Sequence, residues 1–152
     1  MFAPKKHLYA VPFQGDRAAA FDVAKTALLA LGFEIKQLSE TELHAEGPGM
    51  HSNQQPDLLG VSSLQLQISQ SNITATALLG AAAKMKAFIY LFPPGLAIIL
   101  MASFALSGMD VSWVHMLWVL PWFVLSPLMG KSFENKAIRA VERLVRGMAQ
   151  TK

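Results

Sequence analysis

Between Lys86 and Asp110 the chain runs for 23 residues without a formal charge, AFIYLFPPGLAIILMASFALSGM. Between Asp110 and Lys131 it runs for 20 more, VSWVHMLWVLPWFVLSPLMG. A helix of about 20 apolar residues crosses the roughly 30 Å hydrocarbon layer of a bilayer, so each run is long enough to span. The connection around Ser107–Ser112 is short, polar and glycine-containing, which predicts an antiparallel transmembrane hairpin with helices over about 87–107 and 111–129. Proline lacks an amide donor. At Pro93-Pro94 the first helix is therefore expected either to kink or to begin its regular span, and Pro121 and Pro127 pose the same choice in the second.

Composition agrees with a membrane protein. Of 152 residues, 53% are hydrophobic and 15% charged, with a mean hydropathy of +0.35. Ordinary soluble domains carry about 25% charged residues. A disordered tail is excluded by the apolar content, and a disulfide scaffold by the absence of cysteine. The length leaves room for one modest domain besides the spans.

The net charge of +3 is unevenly placed. Residues 1–86 hold seven basic and seven acidic residues, whereas 131–152 hold six basic and two acidic. A basic segment directly after an apolar run fits anionic headgroups better than nucleic acid, which needs a broader footprint. Lys84 and Lys86 precede the first run, Lys131, Lys136 and Arg139 follow the second, and the turn between has no Lys or Arg. The positive-inside rule then predicts a multi-pass protein of a bacterial inner membrane with both termini cytoplasmic. The opening residues lack the apolar core of a signal peptide, so residues 1–84 are expected to stay in the cytoplasm.

Those residues read as a two-layer α+β domain of order β-α-β-β-β-β with a mostly antiparallel sheet. His7–Phe13 predicts a first strand. Asp16 is a candidate N-cap for a helix whose Phe21, Ala24, Leu28 and Leu31 recur at helical spacing, and Gly32 follows as the left-handed stop. Strands are then expected over 33–38, 41–47, 61–69 and 72–79. In the last three, Leu43, Ala45, Leu64, Leu66, Ile68, Ile73, Ala75 and Ala77 alternate with polar residues, the mark of a sheet with one dry and one wet face. Residues 131–152 read as a basic amphipathic helix, packing either beside the first helix on the sheet, which is preferred, or on the inner leaflet.

Candidate functional residues are few. His115, Trp118 and Trp122 share one helical face at i, i+3 and i+7, suited to contact with another membrane protein. The loop from Gly47 to Gly60 is long for a hairpin connection, and its Met50, His51, Leu58 and Leu59 are candidate partner contacts. Glu42, His44 and Glu46 point one way on the wet face, without a second cluster that would make a metal site. No nucleophile elbow, HExxH, dinucleotide or phosphate-loop pattern occurs, so neither catalytic residues nor a cofactor or metal are predicted. The expectation is a non-catalytic accessory or scaffold subunit of a larger inner-membrane complex. Its partners would be other integral membrane subunits and membrane lipid, not nucleic acid. The alternative is a membrane-tethered sensor binding a small-molecule ligand on the polar sheet face and the 47–60 loop.

Overall fold

The first strand, β1 (Lys6–Pro12), gives way to the first helix, α1 (Arg17–Ala30), at Asp16. The Asp16 carboxylate accepts from the Ala18 amide at 3.0 Å, supplying one of the partners that a helix start lacks. At the other end Gly32 takes φ +76°, the left-handed stop that a side chain would resist. The protein is described here by a computed structural model that covers residues 3–48, 58, 60–108, 117 and 120–150. After α1 come β2 (Glu34–Leu38), β3 (Glu42–Glu46), β4 (Ser63–Ile68) and β5 (Asn72–Leu78), then α2 (Gly80–Leu106) and α3 (Leu120–Ala149).

The fold is α+β, with one five-stranded sheet in the order β1-β5-β4-β3-β2 and every neighbouring pair antiparallel. The expected alternation is what the sheet uses. Leu43, Ala45, Leu64, Leu66, Ile73, Ala75 and Ala77 are fully buried. Two tight turns repeat one device. Ser39 Oγ accepts from the Glu42 amide and donates to its carbonyl, and Ser69 Oγ does the same with Asn72. α1 crosses the dry face between the two edge strands, burying Ala20, Phe21, Ala24 and Leu28. Leu31, expected in that stripe, is only half-buried, because the helix has already unwound into its stop there.

Beside α1 on the same face lies the second half of α3. Ala137, Ala140, Val141, Val145 and Met148 recur at helical spacing and join the core cluster. Full burial of a Val or Met side chain stabilises by roughly 1.5–3 kcal/mol, so this helix is a structural member of the domain and does not lie flat on a lipid leaflet. It is also one helix from Leu120 to Ala149, running without a break through the expected boundary at residues 130/131. The boundary expected at 84/85 likewise falls inside a helix, since α2 starts at Gly80, two residues beyond β5. Both joints between the apolar segments and the domain are therefore continuous helix, with Pro127 inside α3 just before the second of them.

Among the described residues one helix, α2, is long and apolar enough to cross a membrane, and 6% of its most apolar stretch is buried. The second apolar run is described at Leu117 and from Leu120 onward, and its Leu120–Gly130 portion is about 16 Å long, short of a crossing. α2 and α3 run antiparallel. Ala82 and Ala137 meet at Gly60, Lys86 lies against Gly130, and Ile89 lies against Trp122.

Gly60 is the pinch point of this arrangement. Its carbonyl accepts from the Ala82 amide at 3.0 Å, and a Cβ placed on it would sit 2.7 Å from Ala137 Cβ and 3.1 Å from Ala82 Cβ. Gly60→Val should therefore push α3 away from the start of α2, at a cost of about 1–3 kcal/mol in overpacking. A lowered thermal midpoint of the purified full chain checks this, and an unchanged midpoint refutes it.

Candidate functional site

The groove between α2 and α3 begins with two prolines. Pro93 and Pro94 sit inside α2, and Pro93 brings no amide to the carbonyl of Ile89, four residues earlier. The helix continues regardless. Trp122, from α3, donates its indole N–H to the Ile89 oxygen at 2.7 Å and replaces the missing donor. A carbonyl at a buried, apolar position is costly to leave bare, so this bond fixes the depth at which the two helices register.

Around it opens an apolar groove of about 720 Å³, walled by Phe88, Phe92, Leu96 and Phe104 of α2 and by Trp122 and Phe133 of α3. Phe88 and Phe92 stack with ring centroids 4.8 Å apart. The outward sides of both helices are as apolar as the groove. Leu91, Ile98 and Ile99 on α2, and Val124 and Leu128 on α3, are each more than 60% exposed. Monomeric soluble proteins rarely carry so continuous an apolar surface.

At the foot of the groove a carboxylate joins three segments. Glu134 of α3 pairs with Lys5, ahead of β1, at 2.5 Å and with Lys86 of α2 at 4.0 Å. Its side chain is 15% exposed, but Lys5 is 66% exposed, so that pair is screened by solvent much as a surface pair is, and only Lys86, at 27%, shares the shelter of Glu134. A second polar seam joins β1 to α3. Arg146 donates from Nε to the Tyr9 hydroxyl at 2.9 Å, and its guanidinium lies 5.9 Å from the ring centroid. That hydrogen bond raises the Arg146 pKa above its ordinary value. His7 stacks on Tyr9, and its buried Nε2 lies 3.8 Å from the Glu142 carboxylate without a hydrogen bond. Sequence reasoning missed His7 and Tyr9. The signal was their shared face with Val11, which the register pairs with the buried Ala77, Ala75 and Ile73.

The wet face of the sheet is ordinary by comparison. Gln65 Nε2 donates to the Glu42 carboxylate. Lys36 lies between Glu34 at 2.8 Å and Glu46 at 3.8 Å, and its pKa is raised, mainly by the hydrogen bond to Glu34. Such exposed pairs contribute little. Among the described residues no group of three His, Asp or Glu side chains is placed to hold a metal.

Of the residues expected to contact partners, Met50, His51, Leu59, His115 and Trp118 lie outside the described residues. Leu58 does not present itself to a partner: it is 2% exposed and belongs to the core cluster, and its carbonyl accepts from the Val61 amide at 2.9 Å. Trp122 is turned toward α2, its polar end satisfied within the chain. No family model matches this chain, and the comparisons with curated proteins and with solved structures found no match.

Proposed function

We propose that this chain is a two-pass membrane protein of the bacterial inner membrane that acts as a non-catalytic accessory or scaffold subunit of a larger assembly. The observation that carries the reading is the double character of α3. Its first turns expose Leu120, Val124, Leu125 and Leu128, while its later turns fill the core of the α+β domain. A helix that belongs to both parts holds the domain at a fixed height and angle above the bilayer. Rigid presentation is what a scaffold needs and what a flexibly tethered domain lacks. The exposed apolar sides of α2 and α3 are the surfaces on which lipid and other membrane subunits would pack.

In this reading both termini are cytoplasmic and Gly108 lies on the far side. The chain has no cysteine, so single-cysteine labelling is free of background. Ser39→Cys and Gln150→Cys should react with an impermeant maleimide only after the cytoplasmic side is opened, and Gly108→Cys should react from outside. Reaction of all three from one side overturns the two-pass topology. Purification from native membranes in mild detergent should yield stoichiometric integral membrane partners. A chain recovered alone with a retained small molecule would favour the sensor reading instead.

A further inference from the structure

The sheet ends on β1 at one side and on β2 at the other, and the two edges are unlike. β2 is interrupted by a bulge between Ile35 and Gln37, where Lys36 is held between Glu34 and Glu46. Bulges and charged side chains are ordinary means of closing an edge to further strands. β1 has no bulge, and pairs with β5 in one register from Lys6–Leu78 to Pro12–Asn72. The bonds from the Phe13 amide to the Ser71 carbonyl and from the Leu79 amide to the Lys5 carbonyl fix the phase of that ladder. Odd-numbered residues of β1 bond to β5, and even-numbered ones turn their N–H and C=O outward. The outer edge thus offers the N–H and C=O of Lys6, Leu8 and Ala10, repeating about every 7 Å. Among the described residues no backbone group bonds to them. Pro12 closes the far end, its missing donor falling on an outward position that β5 does not use.

We propose that this edge takes an extended segment of another protein, adding a sixth strand to the five. The proposal deepens the scaffold reading above and rests on it. Main-chain donors and acceptors at strand spacing are satisfied together by another extended backbone. The side chains on both faces of the edge call for apolar residues on that strand. On the dry face Tyr9, Val11 and Ile138 are only partly buried against the core. Ile138 stands one turn before Glu142, on the flank of α3 beside His7, so the core is incomplete along this same edge. On the wet face Leu8 is 63% exposed, with Leu78 diagonally across from it. A strand of β-branched residues covers both faces. A second copy of this chain does not suit the site. β1 and α3 run the same way, since Lys5, His7 and Tyr9 lie in turn beside Glu134, Glu142 and Arg146. A copy pairing antiparallel through this edge would aim its apolar helices in the opposite direction, and two copies in one membrane cannot meet that way.

The test uses the full chain in phosphatidylcholine nanodiscs and, as probe, a short fluorescent peptide of alternating threonine and valine ended by glutamates. In the chain alone the amides of Lys6, Leu8 and Ala10 should exchange freely, while those of His7, Tyr9 and Val11 are protected. The peptide should slow the first three at least about tenfold and leave the amides of β2 unchanged. The same peptide N-methylated along its backbone should bind at least about tenfold more weakly by anisotropy. Leu8→Pro should show a similar loss with a melting temperature within about 4 °C of the parent, because β5 does not use the Leu8 amide. Leu8→Thr, which keeps that amide, should bind within about threefold of the parent. Equal binding of the N-methylated peptide, or protection on β2 in place of β1, overturns the proposal. Slow exchange of Lys6, Leu8 and Ala10 in the chain alone means that the edge is already covered, and a dimer that Leu8→Pro dissolves means that a second copy covers it. Either result overturns the proposal. A chain that stays out of the discs overturns the membrane reading, and the argument against a second copy falls with it. A chain that enters them but does not bind the peptide overturns strand addition alone.

Discussion

Trp122→Phe should destabilise the association of α2 with α3 by about 2 kcal/mol or more, read as a lower denaturant midpoint for the full chain in mild detergent. Two effects combine. The smaller ring leaves part of the groove wall unfilled, and the Ile89 carbonyl loses its donor at a buried position. The two are separable because the orphan has a known origin. Pro93→Ala restores an amide four residues after Ile89, which closes the helical bond from within α2. In that background Trp122→Phe should cost only its packing, so the double-mutant cycle should show a coupling of about 1–2 kcal/mol. Equal costs in the two backgrounds would mean that the indole N–H is not standing in for the proline amide.

A larger loss is expected from Val145→Asp. Val145 is fully buried between α3 and the sheet, and a carboxylate there has no described partner to meet it. An unpaired buried charge costs several kcal/mol, comparable with the 5–15 kcal/mol or so that holds a typical domain together. The variant should lose amide-exchange protection across β5 and become sensitive to limited proteolysis within residues 1–80, while still extracting with the membrane fraction. Asn135→Asp, on the exposed side of the same helix, should stay within about 0.5 kcal/mol of the parent. A protected sheet in Val145→Asp would show that the domain folds without α3. That would also remove the rigid connection on which the scaffold reading depends.

The two kinds of prediction draw on different levels of information. The alternation of β3, β4 and β5 named the buried residues directly, because a strand repeats every two residues and a sheet with one wet face has a single acceptable register. Asp16 and Gly32 marked the ends of α1 because an N-cap and a left-handed stop are properties of one or two residues. The apolar length of α2 and the amphipathic pattern after Lys131 were equally plain. Each of these is local, and local chemistry decides it.

What the chain's own order did not reveal is which faces meet. Helical spacing grouped His115, Trp118 and Trp122 on one side, but it carried no information about what that side would touch. Trp122 faces α2 because Pro93, 29 positions earlier, left a carbonyl without a donor. Leu58 sat in a stretch rich in turn-forming residues and was a candidate partner contact, yet it is buried in the core cluster. The break between span and terminal helix was placed where polarity changes, at residues 130/131. Helical hydrogen bonds are indifferent to side-chain polarity, and α3 passes straight through. Lys5 with Glu134 and Tyr9 with Arg146 join residues 129 and 137 positions apart. Sequence thus determined the periodicity of each element and the polarity of its faces. Only the tertiary structure decided the pairings, because burial is a property of the assembled core, where each buried polar group must find its partner wherever in the chain that partner lies.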